Sequence, residues 1–165
     1  MPSAKRPGRG ATLALRRSAP PLRRSGPLIE LGVLDERLGY FVRRLQVWVF
    51  QDFIRRLSSL DISPAQFSVL VVISANRGLS QAELAATLNI ERARLVRLLH
   101  LLERRGLTQR LPSPGDGRRH ALRLTPGGQK VLARAKALAA QHEAALKHKL
   151  GPARYQLLLA TLREF

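Results

Sequence analysis

The 165-residue chain contains no cysteine. That excludes a disulfide framework, cysteine zinc sites and a thiol redox switch, and it fits a reducing compartment. Acidic residues are scarce. Eleven Asp and Glu stand against 29 Lys and Arg, a formal net charge of +18. Such an excess repels itself unless it meets a polyanion, with nucleic acid the first candidate and an anionic membrane the second. A ribosomal-type RNA-binding protein has the same balance, so charge alone does not choose. No apolar run approaches the ~18 residues of a membrane span. Ala11–Leu15 is too short for the apolar core of about 7–15 residues in a secretory signal. No glycine-rich phosphate loop occurs in strand–loop–helix context; Gly8-Arg9-Gly10 and Pro114-Gly115-Asp116-Gly117 both lack it. There is no serine elbow, paired-carboxylate site or Cys/His pair, so an enzyme is not expected. His100, His120, His142 and His148 lack metal-ligand spacing. Neither a metal nor a cofactor is expected.

Hydrophobic residues make up 45% of the chain, enough to fold most of it. Residues 1–29 differ from the remainder. Lys5, Arg6, Arg9, Arg16, Arg17, Arg23 and Arg24 occur there with no acid, among Pro, Gly and Ser. This reads as a basic flexible arm. It is either non-specific charge, an arm for the DNA minor groove or the partner subunit, or, in a different setting, an organellar transit peptide.

From Leu31 to about Leu60 the apolar residues Leu34, Leu38, Phe41, Leu45, Trp48, Val49, Phe53, Leu57 and Leu60 recur at three and four. The spacing predicts one long helix, interrupted at most at Gly39, with more apolar face than one small domain needs. Dimerisation is the usual use of such a face. Ser63-Pro64 then opens a helix as N-cap and first position, which stops near Asn76-Arg77-Gly78. Ser80-Gln81-Ala82-Glu83 is a capping box for a short helix, and Asn89 suits the left-handed turn that ends it. A further helix spans about Glu91–Arg105, with Leu95, Leu98, Leu99 and Leu102 inward and Gly106 as terminator. Leu107–Leu111 reads as a strand, 112–117 as a turn and His120–Leu124 as the returning strand. Thr125-Pro126 opens a long helix to about Leu150, Gly151-Pro152 breaks it, and a last helix carries Tyr155, Leu158, Leu159 and Leu162. No internal repeat is visible.

Two short helices joined by a tight turn and followed by a hairpin make a winged helix-turn-helix. The fold class is therefore mainly α with a small β-hairpin wing, flanked by N- and C-terminal dimerisation helices. The expected divisions are the arm (1–29), an N-terminal dimerisation helix (30–62), the DNA-binding region (63–125) and C-terminal dimerisation helices (126–165). In such a motif the second short helix enters a major groove. Arg92, Arg94 and Arg97 are its candidate readers, because the arginine fork is the commonest partner of guanine. Read blandly, they are a solvated surface. Ser80 and Gln81, at the start of the preceding helix, complete the candidate DNA contacts. At the wing, Arg118 and Arg119 suit a narrow minor groove, and Asp116, repulsive to DNA unless paired, is expected to orient an arginine.

The ordered set of Ser63-Pro64-Ala65-Gln66-Phe67, Leu79–Ala85, Leu102-Glu103-Arg104-Arg105-Gly106-Leu107, Asp116-Gly117-Arg118-Arg119 and Leu122–Gly128 resembles the MarR family of regulators. With the flanking helices the resemblance covers roughly 31–165. It implies a cytoplasmic bacterial homodimer on a near-palindromic operator, with Arg118 in the minor groove. It also implies a small effector, often phenolic, that binds between the dimerisation and DNA-binding regions and releases DNA. Two positions depart from the family pattern. Glu91 stands where Ser or Asp is common, and Arg94 where Ser or Thr is common, so the operator sequence does not transfer. A narrower similarity, over Leu38–Gln46, is to regulators of aromatic-acid catabolism, some of which answer to aryl-CoA thioesters. An anionic CoA ester would suit Arg43, Arg44, Arg55 and Arg56, with Tyr40, Trp48 and Phe53 as further ligand candidates. At helical spacing Trp48, Phe50 and Phe53 are more often core, and the arginines more often surface charge or partner contacts. Two alternatives come from other classes. One is a ligand-independent architectural DNA-binding protein; the other is a winged-helix module that binds protein or RNA.

Overall fold

The computed structural model describes residues 29–113 and 116–164, with side chains omitted at 113–120. The basic arm expected over 1–29 lies, but for Ile29, outside the described residues. Residues 29–37 hold one 3-10 turn, Gly32–Glu36, with no buried side chain. The single long helix expected from Leu31 is not formed. Gly32 has φ +54 and Arg37 is extended, so the helical path is broken twice before Leu38.

From Leu38 onward the elements run in the expected order. Helix α1 spans Leu38–Leu57 and closes in a 3-10 turn, Ser58–Leu60. Then come α2 (Pro64–Ala75), α3 (Gln81–Thr87), α4 (Arg92–Arg104), strands β1 (Thr108–Ser113) and β2 (Asp116–Leu124), α5 (Pro126–Leu150) and α6 (Pro152–Leu162). The caps are those the sequence predicts. Ser63 and Ser80 each form a reciprocal capping box, with Gln66 and Glu83 respectively. Thr125 caps Gly128 N–H at 2.9 Å. Asn89 ends α3 with φ +48.

The hairpin departs from expectation in one respect. Pro112 and Ser113, expected in the turn, continue β1, and Asp116 and Gly117, also expected there, open β2. Antiparallel pairing runs from Thr108↔Leu124 to Pro112↔His120, then shifts register to Ser113↔Asp116. A proline is tolerated because a two-stranded sheet consists of edges.

The core gathers one face of nearly every helix. Leu57, Val69, Leu70, Leu84, Leu95, Leu99, Leu102, Leu122 and Ala135 are fully or almost fully buried in it. At ~25 cal/mol per Å² this apolar burial is the main stabilising term. Backbone hydrogen bonds join the parts: Leu122 N–H donates to Leu79 O at 2.8 Å, fastening the wing to the segment before α3. Arg105, just past α4, donates to the carbonyls of Leu60 (3.0 Å) and Asp61, tying the C-terminal end of α4 to the end of α1. Among the described residues no single helix is long and apolar enough to cross a membrane. The pair Leu38–Leu60 and Pro64–Ala75 reaches that length only across a 72° bend, and the apolar side of α2 is core.

One buried polar cluster holds α1 to α5. His142, 2% exposed, places Nδ1 2.7 Å from Asp52 Oδ2. Asp52 also accepts from Arg56 Nε at 2.7 Å and Arg55 Nη2 at 3.0 Å. Phe53 packs edge-to-face with Phe67 and lies 5.2 Å from the His142 ring. The hydrogen bond from Arg56 first, then those from His142 and Arg55, hold the Asp52 carboxyl far below its usual 3.8, against the opposing effect of burial. A depressed carboxylate pKa contributes stability that is complete above the unfolded value and lost as pH falls toward the folded one. Asp52→Asn is therefore expected to cost about 1–3 kcal/mol at neutral pH. The gap to the unsubstituted chain should close as pH drops below about 4. Denaturant melts at several pH values check this; an equal gap at pH 3 and pH 7 would contradict it.

Candidate nucleic-acid interface

Helix α4 forms because leucines repeat at turn spacing. Leu95, Leu99 and Leu102 are buried and Leu98 half-buried. At ~3.6 residues per turn the opposite face is then fixed. Ala93, Arg97, His100 and Arg104 run along it, all exposed. Arg94 flanks that stripe on one side, and Arg92 and Val96 flank it on the other; all three are exposed. Of the arginines the sequence singled out, Arg97 lies centrally, with Arg92 and Arg94 at the margins. Ala93, His100 and Arg104 were not among the DNA-binding candidates, although the leucine spacing alone places them outward.

Helix α3 crosses in front. Its first residue, Gln81, borders an open crevice with Ala82, Arg92, Leu95 and Val96, so the start of α3 and the first turns of α4 share one surface. Ser80 is largely committed to structure. Its hydroxyl accepts from Glu83 N–H at 3.2 Å and donates to Glu83 Oε2 at 2.7 Å, leaving no hydroxyl hydrogen for a ligand. Asp116, Arg118 and Arg119 fall in the opening residues of β2, beside the wing tip. Their side chains, and with them the expected orienting role of Asp116, lie outside the described part. This face can accept a polyanion: it has several arginines, a helix turned outward and a hairpin beside it.

A second feature lies on α1. Tyr40, Arg43, Arg44, Val47, Trp48 and Gln51 line an open groove of about 220 Å³. The Arg44 guanidinium sits 5.6 Å from the Tyr40 ring centre, and Lys149 Nζ, from the end of α5, lies 4.1 Å from that of Trp48. Cations over aromatic faces are attracted by the ring quadrupole. Four of the five ligand candidates, Tyr40, Arg43, Arg44 and Trp48, thus come together. The fifth, Phe53, does not join them, because it packs with Phe67 against the core. Arg55 and Arg56 are drawn to Asp52 instead. These pairs lie three and four residues apart on α1, so Asp52 was the sequence signal that could have separated these arginines from Arg43 and Arg44. Lys149 was not a candidate, and only the packing of α5 on α1 reveals it. Among the described residues no group of three or more His, Asp or Glu is placed to hold a metal ion.

Comparison with known proteins agrees with this geometry. The MarR-family sequence profile matches residues 60–119. A transcriptional regulatory protein for the hcr operon of Thauera aromatica is 32% identical over 133 residues, covering 80% of each chain. The transcriptional repressor CouR bound to a 23-mer DNA duplex is 44% identical, with a TM-score of 0.79 over 82% of this chain and 96% of that one. CouR bound to p-coumaroyl-CoA is 43% identical, with a TM-score of 0.76 over 82% of this chain and 95% of that one. With its winged helix-turn-helix, its outward basic helix and these relatives across most of its length, the chain belongs to the MarR family of transcriptional regulators.

Proposed function

We propose that the chain is a sequence-specific DNA-binding repressor, working as a homodimer and released from its operator by an aryl-CoA thioester. The observation that carries this reading is the outward face of α4. Arg97 and Arg104 form its centre and Arg92 and Arg94 its margins, in a fold whose 44%-identical relative was solved on duplex DNA. Two such helices, one per protomer, would dock in successive major grooves about 34 Å apart. Arg118 and Arg119 would reach the flanking minor groove from the wing, with Asp116 orienting them. Gln81 would contact DNA from the start of α3.

The dimer is supported by apolar residues left without cover on the outer elements. Leu38 is 79% exposed on α1 and Leu157 70% exposed on α6, with Phe41, Val42 and Phe50 also open. Large apolar side chains exposed in this number on the outer helices are the mark of an association site. The effector class is supported by the chemistry of the α1 groove. Tyr40 and Trp48 offer flat faces to an aryl group, and Arg43 and Arg44 offer forks to phosphates. At about 220 Å³ the groove is smaller than the ~300–1,000 Å³ that encloses a drug-sized ligand, so one chain supplies one wall. A ligand that favours a dimer of the wrong helix spacing shifts the population off DNA.

Two experiments test this. Fluorescence anisotropy on the protein's own upstream DNA, titrated with p-coumaroyl-CoA, CoA and free p-coumarate, should show release by the thioester alone. Release by the free acid, or by none of the three, would remove the CoA part of the proposal. Arg94→Ala should cost about 1–3 kcal/mol on the operator and relax base choice at one position of each half-site. A uniform loss on every duplex would make Arg94 a phosphate contact instead.

A further inference from the structure

Glutamine is an ambiguous reader of nucleic acid. Its amide carries an acceptor and two donors, and a freely turning Gln can present both edges to adenine. Gln81 is not free to turn. In the orientation its neighbours require, its carbonyl oxygen accepts from Arg110 Nη1 at 3.3 Å and Nε at 3.1 Å. A guanidinium has five donors and no acceptor, so the amide NH₂ cannot face it. The Gln81 oxygen is therefore turned toward β1, and the NH₂ is directed away from it. Arg110 is itself held: its single Nε–H points chiefly to Glu103 Oε1 at 2.8 Å, near the end of α4, so Nη1 carries most of the bond to Gln81. The three residues come from α3, β1 and α4, and they meet beside the crevice that Gln81 shares with Arg92 and Val96.

We infer that Arg110 is a positioning residue that turns the Gln81 oxygen toward β1 and its NH₂ outward as the contact to DNA, with Glu103 fixing Arg110 in place. The inference rests on the DNA-binding reading above and deepens it. A Gln81 that turns its N–H groups outward suits a phosphate oxygen or the acceptor edge of guanine or thymine. Glu103 also offsets the charge of Arg110, so Arg110 acts through Gln81 and not as a phosphate contact of its own.

The test is a double-substitution cycle on the full chain, with a duplex carrying its own upstream footprint. Arg110→Lys keeps the charge and an ion pair to Glu103 but loses the planar fork. It should weaken binding about two- to tenfold, the range of one hydrogen bond. In a Gln81→Ala background the same change should have no further effect. Ethylation and guanine-N7 methylation interference should show one contact per half-site that is lost in both single variants, while the melting temperature and dimer mass stay unchanged. Arg110→Met, which drops both donors, is the second variant if Arg110→Lys does not fold, and it should behave identically in the cycle. Additive losses in the cycle, or an interference pattern that Gln81→Ala does not change, would overturn the inference and leave the DNA-binding reading standing. Absence of any specific binding by the unsubstituted chain would overturn both.

Discussion

The structure depends most on one close approach of backbone to backbone, where α4, the wing and α5 meet. A side chain at Gly128 would place its Cβ 1.9 Å from Leu107 O, so the first turn of α5 lies directly on the residue between α4 and β1. The same stretch is tied on every side. Leu107 N–H donates to Leu102 O, Thr125 N–H to Leu107 O, and Thr125 Oγ1 to Gly106 O at 2.5 Å. Gly106, with φ +64, makes the turn that lets the chain leave α4 so abruptly. Recognition helix, wing and long helix are therefore one rigid joint. A displacement of α5 must carry α4 and β1 with it, so under the proposed function a ligand on α1 could act on α4 through α5.

Charge is distributed with similar economy. The chain has 11 acidic residues, and several are placed to hold a cation or a polar group in a set orientation. Asp52 gathers Arg55, Arg56 and His142 between α1 and α5. Glu103 holds Arg110, Glu83 closes a capping box on Ser80, and Glu143 accepts from Tyr155 at 2.6 Å to join α6 to α5. The arginines left on the outer face of α4 have no such partner in the described ion pairs. Their field remains available to a polyanion, and long-range steering follows from it.

What the sequence disclosed follows the range of the interactions involved. Caps and stops act within four residues, so Ser63, Ser80, Thr125, Asn89 and Gly106 could be read directly and fall where expected. The leucine spacing of α4 likewise made its inner face legible, and so, by opposition, its outer one. Tertiary contacts were not legible. The apolar spacing from Leu31 onward looked like helix, but Gly32 at φ +54 and an extended Arg37 break it before Leu38. Phe53 was a ligand candidate that the helical spacing read more often as core, and Phe67 and His142 place it there. Arg55 and Arg56 differ from Arg43 and Arg44 by their local pairs with Asp52, a spacing the sequence did carry. Arg110 drew no notice in the sequence because its partners, Gln81 and Glu103, come from two other elements.

The central claim is that this surface reads a DNA sequence and does not merely coat DNA. The most direct measurement is the ratio of affinities for the protein's own upstream duplex and for random duplex of equal length, at about 150 mM salt. A specific reader should favour its own site by about 10³-fold or more and leave two footprints one helical turn apart. Equal affinity for both, with a steep loss on added salt, would contradict the account and mark the chain as an architectural protein.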